Sequence, residues 1–278
     1  MSTEALILEA PAPVWAEPVL RYIDPACDGG ILYEQARDAS TLVFDPRRVK
    51  VLDARRASPA PRLDSHGFEL VDHPFEIDLD EVKAAGLDPS ATAYAREVER
   101  LVKAMTGASE VVVFNQVIRD EAAPDANKPA HSVHLDFDRA TLEGFVRAAR
   151  PDAERLLAGR FANINLWRGL APVERTPLAI CQGSTIAEED LRVGHIRMTP
   201  QTPSPPMSGF NIAWSPAHRW WVYPKMQPDE VLVFRLYDSD PRRTQLTAHT
   251  AFEDPGAAAG APPRRSLEVR ILAFFEDR

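Results

Sequence analysis

The stretch FANINLW, residues 161–167, decides the fold. Its residues alternate. Asn163, Asn165 and Trp167 fall on one side, with Ile164 and Leu166 on the other. A repeat of two belongs to a β-strand, whereas an amphipathic helix repeats its apolar residues at three and four. Working outward, residues 231–237 and 267–275 have the same strand-like character, and 111–118 is a β-branched run that reads as a buried strand. Brief apolar runs at 41–44 and 49–52 predict shorter strands within an otherwise irregular first 95 residues. Helical spacing is confined to two places. Val98, Leu101, Val102 and Met105 lie at i, i+3, i+4 and i+7 ahead of Gly107. Leu142, Phe145, Val146 and Ala149 share a face of a helix starting near Thr141, after which Pro151 opens and Gly159 closes a further helical turn. Prolines outnumber glycines, 25 to 13, and cluster at 200–206 and at Pro262 and Pro263. Many short strands joined by stiff turns imply a sandwich, barrel or jelly roll, mostly β with flanking helices.

The chain has 278 residues, enough for one large or two small domains, and carries 32 Lys plus Arg against 41 Asp plus Glu, a formal charge of −9. That balance makes nucleic acid and anionic membrane poor partners. No apolar run approaches the roughly 20 residues that span a bilayer. No Lys or Arg precedes Arg21, and Glu4, Glu9 and Glu17 interrupt the start, so no secretory signal is expected. Cys27 and Cys181, the only cysteines, form no CxxC pair and no disulfide framework. The expectation is a cytoplasmic protein with reduced thiols that acts on a small molecule, with a homodimer as the common default.

The candidate chemistry lies in HSVHLDFD, residues 131–138. In extended chain His134 and Asp136 point to one side, so an imidazole and a carboxylate can reach one ion. Two histidines and one carboxylate on one face of an octahedral ion leave three positions open, the arrangement of non-haem Fe(II) oxygenases. An H-x-D alone is more often a surface turn. The second histidine must come from elsewhere, and His249 stands out because Arg264, Arg265 and Ser266 follow at the start of the last strand. There Arg264 and Ser266 share a side, and an arginine fork with a hydroxyl suits the distal carboxylate of a small dicarboxylic acid such as 2-oxoglutarate. His131 and His134 are spaced H-x-x-H, but no cysteine lies near and the spacing suits a helix, so a zinc site is disfavoured. His195 and His218 read as loop histidines, Trp214, Trp220 and Trp221 as packing, Asp238 and Asp240 as turn caps, and Glu174–Arg175 as a local ion pair.

Taken together, VHLDFD (133–138), INLWRGLAPVERTPLAIC (164–181), WWVYPKMQPDEVLVFRLYDSD (220–240), HTAFEDP (249–255) and PRRSLEVR (263–270) resemble the iron- and 2-oxoglutarate-dependent oxygenases. More narrowly, they resemble the CmcJ-like and gibberellin desaturase-like group, and LDSHGFEL (63–70) is similar too. The resemblance implies a double-stranded β-helix (jelly-roll) core. It implies Fe(II) on His134, Asp136 and His249, with 2-oxoglutarate anchored by Arg264 and Ser266 and dioxygen as co-substrate. Arg168 and Tyr223 are expected near the cofactor, and Lys225 in the pocket lining. The reaction implied is hydroxylation or desaturation of an unactivated C–H bond in secondary metabolism. One oxygenase domain would span 1–278, with 1–105 as substrate-side support, 106–278 as the core and 141–160 as a helical insertion. The loop 194–219 is a further candidate for choosing substrate. The chain departs from the group's pattern at Asn115–Gln116, where an Asp-His pair is expected, at Gly169, where Pro is expected, and at Arg265, where an acidic residue is expected. Other readings are an accessory component acting beside a partner enzyme such as a methyltransferase, and a cupin-type hydrolase or isomerase that would not need Arg264.

Overall fold

The computed structural model describes residues 12–86, 88–201 and 207–276. Residues 202–206, most of the first proline cluster, and the N-terminal Glu4 and Glu9 lie outside the described residues. The first third of the chain forms β1 (Val14–Ala16), β2 (Val19–Ile23), β3 (Ile31–Tyr33), β4 (Phe44–Arg48), β5 (Val51–Asp53), the short helix α1 (Leu63–His66), β6 (Phe68–Asp72) and α2 (Leu79–Ala84). Then come α3 (Ala93–Thr106), β7 (Glu110–Asp120), β8 (His134–Leu135), α4 (Arg139–Ala149), α5 (Ala153–Ala158), β9 (Arg160–Gly169) and β10 (Leu178–Cys181). The chain finishes with β11 (Leu191–Arg197), β12 (Met207–Ile212), β13 (Trp220–Val222), β14 (Glu230–Asp238), β15 (His249–Ala251) and β16 (Arg265–Phe275).

Two sheets face each other. One runs β1-β5-β13-β10-β15-β8-β12-β11-β3, and the other β6-β14-β9-β16-β7. This is the jelly-roll architecture with flanking helices expected from the many short strands and from the family resemblance. The first third of the chain is built into both sheets. β5 pairs with β13 and β3 with β11, both parallel, while β6 pairs antiparallel with β14. The antiparallel β2–β4 pair packs on the larger sheet, where Trp220 Nε1 donates to Tyr22 Oη at 2.6 Å.

The smaller sheet is buried on both faces, and its central strands divide their side chains accordingly. On the outer face Ile164, Leu166, Val231, Val233, Val269 and Ile271 pack beneath α3, which buries Tyr94, Ala95, Val98 and Val102. Burial of this kind contributes about 1.5–3 kcal/mol per large apolar side chain, which fixes α3 more firmly than its intrinsic propensity could. Thr92 Oγ1 accepts from Ala95 N at 3.0 Å at the start of α3, and Gly107 ends it in the left-handed region at φ 74°. On the inner face, register places Trp167 opposite Glu268 and Asn165 opposite Arg270. That inner face looks onto β8 and β15.

Asp238 does more than the turn capping expected of it. It is buried and takes a bidentate pair from Arg160 at 2.9 and 2.7 Å, while its Oδ1 also accepts from Asp240 N. Arg175 pairs with Glu121 at 2.9 Å rather than with its neighbour Glu174.

Candidate active site

β8 and β15 lie side by side, with His134 directly opposite His249. The strand period then brings Asp136 to the same side as His134. One candidate ligand atom from each of His134, Asp136 and His249 lies within 4.8 Å of the others. The two imidazole centroids are 4.4 Å apart. His134 Nδ1 lies 2.7 Å from Ser132 O, and a carbonyl only accepts, so Nδ1 carries a proton and Nε2 is the nitrogen turned to an ion. Both oxygens of Asp136 are held: Arg270 donates to Oδ1 at 3.0 Å and Asn165 Nδ2 to Oδ2 at 2.7 Å. The Phe234 ring, 4.9 Å from His249, closes one wall. Gly209 makes this packing possible, since a Cβ there would lie 2.3 Å from Asp136 O.

The electrostatics favour cation binding. Burial opposes the charge of Asp136, but Arg270, the two histidines and Asn165 more than offset it and hold the carboxyl well below its usual range. Burial, with neighbouring His134, pushes His249 down to about 4, so its ring is neutral near pH 7. Arg270 stays charged although it is buried, because Asp136 and Glu268 face it. Its Nε donates to Glu268 Oε1 at 2.8 Å, and Glu268 lies 3.7 Å from Arg119 Nε.

Arg264 and Ser266 approach the same chamber from β16. Arg264 is only 3% exposed, and its guanidinium lies 5.3 Å from the Trp167 ring centroid. Nη1 donates to Thr176 O at 2.9 Å, but Nε has no hydrogen-bond partner among the described residues, and neither has buried Ser266 Oγ. Burial, reinforced by Arg119, pushes the Arg264 guanidinium down to about 9. A buried cation and hydroxyl left unmatched on one side of a strand call for an anion.

Two sequence candidates lie elsewhere. Arg168 projects from the opposite face of β9, where its guanidinium lies 5.4 Å from the Tyr94 ring and donates to the carbonyls of His73 and Phe75. The structure does not bring it to the triad. Its contacts tie the connection after β6 to the sheet. Tyr223 is buried edge-on to Phe68 at 6.3 Å, and Phe68 is paired with Phe234 in register, so two rings separate Tyr223 from His249. Lys225 is an exposed turn residue at φ 51°. His195 is on β11 rather than in a loop, and His218 stacks on Tyr22 and pairs with Asp190 at 3.1 Å. Sequence reasoning missed Asn165, Glu268 and Arg270. The signal was present in R-x-S-x-E-x-R, 264–270, where charged groups fall in phase on one side of a strand whose other side is Leu267, Val269 and Ile271.

A family model described as "Oxidoreductase/YMDC permease-like domain" matches residues 20–274. The Fe(II)/2-oxoglutarate-dependent dioxygenase nvfI of Aspergillus novofumigatus is 32% identical over 274 residues, 94% of this chain and 97% of that one. The chain belongs to the Fe(II)/2-oxoglutarate-dependent dioxygenases. The dioxygenase is also similar to the hydroxylase/desaturase efuI of Hormonema carpetanum, 31% identical over 289 residues and covering 93% of this chain and 95% of that one. A structure of the iron and alpha-ketoglutarate-dependent endoperoxidase NvfI, described as having a different conformation, superposes with a TM-score of 0.84 at 29% identity, over 96% of this chain and 100% of that one. Among the described residues no helix is long and apolar enough to cross a membrane.

The donor set of this dioxygenase fits its cofactors. An imidazole kept neutral by burial, a second whose Nδ1 is tied to a carbonyl, and one ionised carboxylate suit Fe(II). The buried Arg264 Nε and Ser266 Oγ, both without partners among the described residues, suit the far carboxylate of 2-oxoglutarate.

Proposed function

We propose that His134, Asp136 and His249 are the iron ligands, that Arg264 and Ser266 anchor 2-oxoglutarate, and that the enzyme hydroxylates or desaturates an unactivated C–H bond of a small molecule in secondary metabolism. The observation that carries this is the convergence of three ligand atoms within 4.8 Å, together with a buried arginine, in phase with Arg270, whose Nε lacks a partner among the described residues. When bound, iron with 2-oxoglutarate and dioxygen supplies the oxidant for C–H cleavage, the keto acid ending as succinate and carbon dioxide. The chain's own residues do the rest. Ser132 O fixes the His134 tautomer, leaving Nε2 to bind. Asn165 and Arg270 hold the Asp136 carboxylate ionised and aimed. Arg264 draws the dicarboxylate to the wall formed by Trp167, while Phe234 shields His249 from water. The name hydroxylase/desaturase borne by the efuI relative supports this choice of outcome.

The proposal takes the whole chain as one oxygenase domain, with 1–105 supporting the core 106–278 and with 141–160 and 194–219 choosing substrate. It also places the enzyme in the cytoplasm as a homodimer, which fractionation and light scattering read directly. The accessory role beside a partner enzyme draws no support from the relatives. Anaerobic titration of metal-free protein with Fe(II) and then 2-oxoglutarate tests the site. A visible charge-transfer band is expected in the wild type, absent in His249→Ala, and demanding far more 2-oxoglutarate in Arg264→Ala. No band with iron bound would refute the assignment.

A further inference from the structure

We propose that Glu121 is a positioning residue for the cosubstrate, its carboxylate setting the aim of the Arg264 guanidinium. This rests on the reading of Arg264 as the anchor of the distal carboxylate. Glu121 follows the last residue of β7. Its N–H donates to Arg264 O at 3.0 Å, and its Oε2 accepts from Arg264 N–H at 2.7 Å, so one residue grips both backbone polar groups of the arginine. Its Oε1 accepts from Thr176 Oγ1 at 3.1 Å. The carbonyl of the same Thr176 then accepts from Arg264 Nη1 at 2.9 Å. A closed ring therefore joins the end of β7, the β9–β10 connection and the start of β16. It fixes the two ends of Arg264 to a single carboxylate.

The ring leaves the arginine's charge available. Among the described residues no ion pair forms between Glu121 and the guanidinium. Instead Arg175 takes the Glu121 charge at 2.9 Å. A carboxylate placed directly on the guanidinium would compete with the incoming ligand. One neutralised by a second arginine can orient Arg264 without quenching it. Arg264 thus gains a fixed backbone and one fixed Nη1, while Nε, like Ser266 Oγ, has no partner among the described residues. Preorganised forks of this kind lose less freedom for each hydrogen bond they form to a carboxylate.

The test is calorimetric titration of the iron-loaded enzyme without dioxygen, using two keto acids. One is 2-oxoglutarate. The other is 2-oxopentanoate, the same chain with a methyl in place of the distal carboxylate. Glu121→Ala is expected to raise the dissociation constant of 2-oxoglutarate roughly tenfold while leaving that of 2-oxopentanoate and the affinity for Fe(II) unchanged. Glu121→Gln keeps an oxygen acceptor but gives up Arg175, and is expected to recover most of the loss. Thr176→Val removes the hydroxyl that Glu121 holds and carries the same comparison where Glu121→Ala does not fold. A merely structural role would lower the melting temperature without separating the two keto acids. Equal weakening of both ligands, or no weakening of 2-oxoglutarate, overturns the proposal. Arg264→Ala separates the two readings. If it discriminates between the keto acids and Glu121→Ala does not, the Glu121 assignment alone falls. If Arg264→Ala treats both alike, the anchor reading falls first.

Discussion

Arg270 meets two buried carboxylates, Asp136 at 3.0 Å and Glu268 at 2.8 Å. Removing its charge leaves both without their main counterion, so Arg270→Met should destabilise the metal-free protein by about 3–5 kcal/mol. A divalent ion at the triad supplies positive charge beside Asp136. Calorimetric unfolding should therefore show a larger gain in melting temperature on metal binding in the variant than in the wild type. An equal gain would mean that Arg270 does not act through Asp136. Asn165→Ala is milder for the fold but frees Asp136 Oδ2, and should weaken metal binding roughly 10–100-fold, as loss of a hydrogen bond to a ligand does. At this scale the sequence is uneven. His134 and Asp136 are legible as a pair because a spacing of two in extended chain turns both side chains to one side. Arg168 is not, because adjacent residues on β9 face opposite sides of the sheet, and the Trp-Arg pair does not say which of the two looks inward. Trp167 does.

Elements differ in how openly they declare themselves. β9 and α3 are long enough for their periods to show. β8 has two residues and β15 three, too short to declare themselves as strands, yet they carry His134 and His249, with Asp136 directly after β8. Neighbours far off in sequence define these short strands. β12 pairs with β8, and a Cβ on Gly209 would strike the carbonyls of Leu135 and Asp136, at 2.6 and 2.3 Å. Gly209→Ala should push β12 off β8, with an overpacking cost of about 1–3 kcal/mol and a measurable loss of metal affinity. Calorimetry and metal titration of the same variant check both. Loss of stability with intact metal affinity would show that β8 keeps its place without β12. Helix starts were readable to within a few residues. α4 begins at Arg139 rather than Thr141 because Asp138 caps it, its Oδ1 accepting from Thr141 N at 2.8 Å.

For the whole molecule, the sheets bind the first third of the chain to the rest. Without β5, β3 and β6, the edges of β13, β11 and β14 lose their partners. Residues 106–278 expressed alone should not fold cooperatively, whereas 1–278 should unfold in one transition by circular dichroism. A folded fragment would show that the core stands without its support. The cysteines offer a second gauge. Cys181 is buried, its thiol pushed up to about 12 chiefly by burial, while Cys27 is half-buried. A thiol reagent should modify Cys27 in the native protein and Cys181 only at the rate of global opening. Fast labelling of both would reveal local opening of the larger sheet. The overall β class followed from alternation and proline content. The pairing of β3, β5 and β6 with β11, β13 and β14 did not, because those runs are three to five residues long and these partners lie more than a hundred residues away.

The unmatched Arg264 also bears on how long the protein persists. A ligand that binds only the folded chain stabilises it by about 2.7 kcal/mol at a hundredfold excess over its dissociation constant. Part of the cost of burying that guanidinium with its Nε unpaired among the described residues is relieved when a carboxylate arrives. Wherever the keto acid runs short, the chain should open more often and be cleared sooner, so the supply of a reactant would govern the amount of catalyst as well as its rate. Pulse proteolysis with and without 2-oxoglutarate should show that dependence, and Arg264→Ala should abolish it.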